Sequence, residues 1–315
     1  MLITDGILLF FCLCPPYFQP LSHRYKYPGE STARIFQISC GGVVVIFAVL
    51  HLQSNEKYKG VRRWFARYGL ARPRVRTVEA PFGSFFVIET VLSRNGVVWP
   101  KVARAAGAEA GRLLLPCGVR PPDGGEVKGY SDEEFRRRLL VNFVLDLLRQ
   151  AGKQRRLEVA FVDIAGQCAG VAAELIQCAS SLRVLTLRPR RYDACCAYCI
   201  QKYGAAPLIS GDPGVMQSAS LVLAPYGFLQ TCLPPAGQTV FAQGSGRIGM
   251  TVPPEAVVLP KRYLEYMPAG ISPSLFAAAL YDSGRAPELS SLLPAYVEQR
   301  GQKISLPEAI HKLFT

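Results

Sequence analysis

The chain has 315 residues, a formal charge of +13 from 36 Lys and Arg against 23 Asp and Glu, a hydrophobic half and only 19% charged residues. That length accommodates two ordinary domains with their own cores, and the composition excludes a disordered chain. Ten cysteines are too sparse for a disulfide scaffold, and three histidines exclude a histidine-rich metal site.

The cysteines lie mainly in or beside apolar segments, where a thiol acts as a small hydrophobe, so a reducing, cytoplasmic setting is expected. Cys196-Ala-Tyr-Cys199 has no second pair at zinc-site spacing, and no metal is expected. The excess of positive charge favours polyanionic partners, from phosphorylated metabolites to nucleic acid or an acidic lipid surface.

Ile7 to Cys14 is apolar but short, and it follows Asp5 with no basic residue, the opposite of a secretory start. Gly41 to Leu52 falls below the roughly 20 residues that span a bilayer, so no membrane span is expected. Residues 1–42 are therefore expected to be an irregular extension, or to lie outside the native product if translation starts near Val44 or Val45. An intact mass matching all 315 residues would end that idea.

From Val43 to Leu50 the sequence predicts a strand, then a helix from about Asn55 to Tyr68 that stops at Gly69. Val61, Trp64, Phe65 and Tyr68 share one face, expected to be core, and Lys59, Arg63 and Arg67 line another. Arg74 to Glu79 and Ser84 to Leu92 predict a hairpin turned by Pro81-Phe82-Gly83, and Pro100 opens a helix running to about Leu114. These elements make a small α+β domain over 43–120, followed by a Pro/Gly linker at 121–130.

Ser131-Asp-Glu-Glu134 predicts a capping box for a long apolar helix closed by Gly152. Strands at Leu157–Val162, Leu182–Leu187, Pro207–Ser210 and Leu221–Ala224 then alternate with helices at Gly170–Ser180 and Tyr192–Tyr203. Such alternation indicates βαβ units, a mostly parallel sheet and helices on both faces, with Thr239–Ala242 and Ala256–Leu259 as extensions. The fold class is thus α/β: a Rossmann-like domain at 131–260, preceded by the α+β domain and followed by helices over 261–315, with starts at Ser272-Pro273, Pro287 and Ser305.

The candidate site is the strand–turn–helix junction Asp163-Ile-Ala-Gly166-Gln-Cys-Ala-Gly170, where free amides and the helix dipole would meet an anion. With its four-residue glycine step it resembles the NAD(P)-binding Rossmann superfamily, in particular the GxxxGxG turn of short-chain dehydrogenases, except that Ala172 stands at the third glycine. Tyr198-Cys-Ile-Gln-Lys202 matches that family's YxxxK pair as a string. It stands one helix past the turn instead of several strands later, so the role is not carried over.

About 20 residues past a glycine turn, an arginine can accept a 2′-phosphate; Arg188 and Arg190 stand there, so the resemblance implies NADP if a dinucleotide binds. Asp163 would hold a ribose, a metal-bound phosphate or a proton in transit, or cap the following helix. Gly244, Gly246 and Gly249 have GxGxxG spacing but no helix after them, which fits a hairpin better than a phosphate cradle. No general base is evident, so the favoured reading is nucleotide binding at residues 166–170, with catalysis left open. Two rivals remain: a cofactor-free interaction or regulatory module, and a nucleic-acid-binding protein using Lys59, Arg63 and Arg67 within the basic 57–76 segment.

Overall fold

A computed structural model describes residues 45–54, 59–152, 157–228, 232–244 and 248–314. The expected extension at 1–42 and the middle of the second glycine loop, 245–247, lie outside the described residues.

The first part is a four-stranded mixed sheet. Along the chain run β1 (Val45–Gln53), α1 (Gly60–Arg67), β2 (Arg74–Ala80), β3 (Gly83–Val91), α2 (Trp99–Ala106) and β4 (Leu113–Leu114). The strand order is β2-β3-β1-β4, with β1 parallel to β3 and β4, and β2 antiparallel to β3. Alternation along β1 sends Ala48 and Leu50 against Val102, Ala103 and Ala106 of α2, and Phe47 and Val49 into the opposite core.

The helix expected from Pro100 to Leu114 is three elements. Gly107 takes φ +56°, a 3-10 turn follows, and Leu113–Leu114 pair with β1. Among the described side chains of α1 Ala66 alone is buried, whereas Val61, Trp64, Phe65 and the following Tyr68 are exposed, against the expectation that they form core. Residues 55–58, the predicted start of that helix, lie outside the described residues.

The second part begins with α3 (Glu133–Ala151) and continues through β5 (Glu158–Val162), α4 (Ala169–Leu175), β6 (Ser181–Leu185), α5 (Asp193–Tyr203), β7 (Leu208–Ser210), β8 (Leu221–Ala224) and β9 (Thr239–Ala242). These five strands are all parallel, in the order β7-β6-β5-β8-β9. The chain moves outward from β5 to β7, then returns to β8 on the other side of β5. That reversal gives the Rossmann order and places a topological switch point between β5 and β8.

α3, α4 and α5 pack on one face, against Val159, Phe161, Val184 and Phe241. The other face, built of Ala160, Val162, Val222 and Ala242, is covered by Met216 and Ala219 of a short turn and by Phe228. Among the described residues the connections after β7 and β8 hold a 3-10 turn and no α-helix, so the expected helices on both faces are found on one. The first connections run through α-helices; Pro213 and Gly214 hold the next to a 3-10 turn capped by Asp212.

Three local expectations also change. α3 begins at Glu133, with Ser131 Oγ accepting from the Glu133 amide, while Glu134 pairs with Arg137 instead of closing a capping box. Ala256–Leu259 is not a strand: Ala256 ends a 3-10 turn and 257–259 continue as irregular chain, while Met250, past the second glycine loop, bridges Phe241 in parallel. The tail, expected to be helical over 261–315, contains α6 (Lys261–Leu264), α7 (Pro273–Asp282) and α8 (Leu306–Phe314), but Pro287 starts only a 3-10 turn, and a hairpin of β10 (Val297–Gln299) and β11 (Gln302–Ile304) stands before α8. Phe276 of α7 packs against Phe47, Phe82 and Phe85 of the first part, and one apolar cluster runs from there to α3 and the parallel sheet. Among the described residues no helix is long and apolar enough to cross a membrane.

Candidate functional site

The site lies at the carboxyl ends of β5 and β6. β5 ends at Val162, and the Asp163 amide donates to Leu185 O at 3.0 Å, carrying the strand pairing one residue further. The chain then turns: the Gly166 amide donates to Asp163 O at 3.0 Å, and Gly166 takes φ +65°, a conformation that favours glycine. Leu187 N donates to Ile164 O at 3.1 Å and Arg188 N to Thr186 Oγ1 at 3.1 Å. The two loops therefore form one hydrogen-bonded rim.

Asp163 is 1% exposed and spent on structure. Its Oδ1 accepts from the Gln167 amide at 2.9 Å, and its Oδ2 accepts from the Cys168 amide at 2.6 Å and the Tyr192 hydroxyl at 2.7 Å. Charge-assisted bonds of this length are roughly twice as strong as neutral ones. Two of the amides expected to stand uncovered at this mouth, those of Gln167 and Cys168, are therefore taken: the carboxylate occupies the position beside them that an incoming pyrophosphate would use. Gly170 sits in the first turn of α4, half-buried.

The space over Gly166 is filled as well. A Cβ placed there would lie 3.0 Å from Arg191 Cδ and 3.1 Å from Arg188 Cβ. On the switch-point side, Tyr226 closes over the turn: its hydroxyl donates to Glu134 Oε2 at 3.1 Å and pairs with the Cys168 thiol, and the Arg137 guanidinium lies 4.3 Å above its ring. The residues of this crevice do not fit a dinucleotide pyrophosphate.

Burial, followed by the Asp163 charge, pushes the Cys168 thiol up to about 12. The same two causes raise the Tyr192 hydroxyl far above its ordinary range. Burial and the neighbouring Cys168 and Glu134 raise Tyr226 too. All three remain protonated at neutral pH and supply no base there.

What remains open is a cleft of about 370 Å³ on the β6 side of the turn, lined by Ile164, Ala165, Gln167, Leu187, Arg188 and Arg191. The 3-10 turn Pro189–Tyr192 presents these arginines: Pro189 starts it, and buried Tyr192 anchors its end on Asp163. The structure thus brings Asp163, Gly166 and Arg188 together, with Arg190 exposed on the same turn but outside the cleft lining. Sequence reasoning carried Arg188 and Arg190 to the site but not Arg191, three residues past Arg188 in the same basic run, nor Tyr192, which nothing local marked. Lys59, Arg63 and Arg67 are exposed on and beside α1, in a different part of the fold. On α5, Lys202 donates to the Tyr198 hydroxyl at 2.7 Å, away from the cleft lining.

No protein-family model matches the chain, and no curated protein sequence does. Among solved structures, it is similar to quinate dehydrogenase from Corynebacterium glutamicum in complex with NAD, at 14% identity and TM-score 0.28, over 85% of this chain and 99% of that one. It is also similar to ornithine carbamoyltransferase from Pyrococcus furiosus, at 8% identity and TM-score 0.25, over 77% of this chain and 84% of that one. L-tryptophan dehydrogenase from Nostoc punctiforme is similar at 11% identity and TM-score 0.26, over 86% of this chain and 80% of that one. Similarity at this level carries no argument about activity; the Rossmann order rests on the strand pairing itself.

Proposed function

We propose that this Rossmann-type α/β protein binds a small phosphorylated ligand in the cleft formed by Ile164, Gln167, Leu187, Arg188 and Arg191. The observation that carries the reading is a 370 Å³ cleft at the carboxyl edge of a parallel sheet, with two arginines and no carboxylate in its lining. Open α/β sheets present ligands at that edge, and the planar fork of arginine meets phosphate oxygens in pairs. The volume is near the lower end of the roughly 300–1,000 Å³ usual for small-molecule sites, a size suited to a mononucleotide or a sugar phosphate.

An NADP-type dinucleotide could engage the same arginines through its 2′-phosphate. Its pyrophosphate would find the Gln167 and Cys168 amides already bonded to Asp163. The proposal therefore stops at binding and assigns no proton acceptor.

Calorimetric titration with 2′,5′-ADP, AMP and NADPH tests it. A phosphorylated mononucleotide should bind saturably, NADPH should gain nothing over 2′,5′-ADP, and R188E/R191E should abolish binding while leaving the melting transition in place. Absence of binding by all three ligands at millimolar concentration would overturn the reading.

A further inference from the structure

The aromatic face of α1 is turned away from the protein. Among the described side chains of this helix Ala66 alone is buried, at 1% exposure, while Val61 is 70%, Trp64 53%, Phe65 45% and the capping Tyr68 54% exposed. At 100° per residue the four exposed apolar residues span a single arc opposite Ala66, and Arg63 and Arg67 flank that arc on the Trp64 side. Leu70, half exposed, extends the apolar surface past the end of the helix.

The helix is held in this orientation by its carboxyl end. Lys101 Nζ donates to Gly69 O at 2.8 Å and to Ala71 O at 3.3 Å, and the Arg94 amide donates to Arg67 O at 2.9 Å. The outward arc is therefore built into the fold. In the flanking stretches of chain, Lys59, Arg72, Arg74 and Arg76 are exposed as well, and Arg76 is paired with Glu89 at 3.6 Å.

We propose that this surface docks on an anionic lipid bilayer, with the Val61–Tyr68 arc in the headgroup boundary and the arginines on lipid phosphates. A short helix with an apolar aromatic face and a cationic flank has the chemistry of an interfacial helix, and Trp and Tyr favour the boundary because one end of each is polar. The flanking cations match a negative leaflet, which attracts each nearby Lys or Arg. Two observations favour lipid over single-stranded nucleic acid. The patch includes aliphatic Val61 and Leu70, which offer no stacking face. Trp64 packs edge-on to Phe65 at 85° and tilted on Tyr68 at 46°, so the rings close on each other and do not present parallel platforms for successive bases.

The test uses the full chain carrying Trp99→Phe, which leaves Trp64 as the reporter of the two tryptophans. It is mixed with vesicles of phosphatidylcholine alone, or of phosphatidylcholine with phosphatidylglycerol, and followed by co-sedimentation and Trp64 emission. The expected result is sedimentation with the phosphatidylglycerol vesicles, a blue shift of Trp64 and weakening by salt. R63E/R67E should reduce vesicle affinity at least ~10-fold, as should V61S/F65S, with both variants keeping the parent melting curve. Several outcomes overturn the proposal: no sedimentation with either vesicle, equal binding to both, or Trp64 emission already blue-shifted without lipid. Binding of poly(U) with quenching of Trp64 and no vesicle binding would assign the surface to nucleic acid instead. A dimer dispersed by V61S/F65S without vesicle binding would assign it to a second copy.

Discussion

Replacing Asp163 by Asn keeps the shape of the side chain and removes its charge at the centre of the β5–α4 turn. The carboxylate accepts three bonds, from the Gln167 amide at 2.9 Å, the Cys168 amide at 2.6 Å and the Tyr192 hydroxyl at 2.7 Å. Asn has one acceptor oxygen, so in either amide orientation at least one backbone N–H faces an NH₂ group. A hydrogen bond to a charged group contributes about 1.5–3 kcal/mol and a neutral one about 0.5–1.5. Losing one bond and weakening the others costs about 3–5 kcal/mol on that basis. Relief from burying a charge offsets part of this, which leaves about 2–4 kcal/mol.

Urea unfolding of the full chain measures that loss, and a double-mutant cycle with Tyr192→Phe isolates the pair. The coupling between the two side chains should be about 1 kcal/mol or more, because each loses its partner in the other's variant. A cost below about 1 kcal/mol for Asp163→Asn, with strict additivity to Tyr192→Phe, would refute the view that this carboxylate is consumed by its own helix.

Other consequences follow from packing and ionisation. Gly166→Ala should cost about 1–2 kcal/mol, because φ +65° disfavours a Cβ, and should weaken ligand binding as Arg188 and Arg191 are pushed aside; urea unfolding and calorimetry on one variant read both. Phe276→Ala, which removes a fully buried ring touching Phe47, Phe82 and Phe85, should cost about 3–5 kcal/mol. By circular dichroism and tryptophan fluorescence its transition should stay single, since the core it leaves is continuous across both sheets. Burial pushes the Cys168 and Cys195 thiols up to about 12 from 9.0, so the unfolded chain ionises first as pH rises. Their contribution to stability is complete below about pH 9 and fades as pH climbs towards about 12, and urea midpoints of Cys195→Ala should show a shallower alkaline decline than the parent.

The parallel sheet was legible because its strands are short apolar runs at regular intervals, and the alternation leaves few topologies. The orientation of α1 was not. Periodicity places Val61, Trp64, Phe65 and Tyr68 on one arc, but the direction of that arc is set by Lys101 and Arg94 gripping the carboxyl end of the helix, contacts distant in sequence. The hairpin at the tail left a local trace: Arg300 and Gly301 both take positive φ, at 52° and 81°, between short runs. A glycine-bearing two-residue tip flanked by Val297-Glu-Gln and Gln302-Lys-Ile is the pattern that would have revealed it.

At the candidate site the glycine turn, the helix start and the basic loop were all readable from residue types. Their fate was not, because it depends on Tyr192, 29 residues past Asp163, folding back to complete the carboxylate's bonds. A strand–turn–helix signature establishes that amides converge at a helix start. Whether a ligand or the chain's own carboxylate meets them is decided by side chains that the signature does not contain.

The most direct test is a ¹⁵N-resolved titration with 2′,5′-ADP that follows the Cys168 backbone amide and the Arg188 and Arg191 Nε–Hε groups together. The arginine resonances should move saturably while the Cys168 amide holds its hydrogen-bonded position. Movement of the Cys168 amide with stationary arginines would contradict the account, because the phosphate would then have displaced Asp163 at the helix mouth.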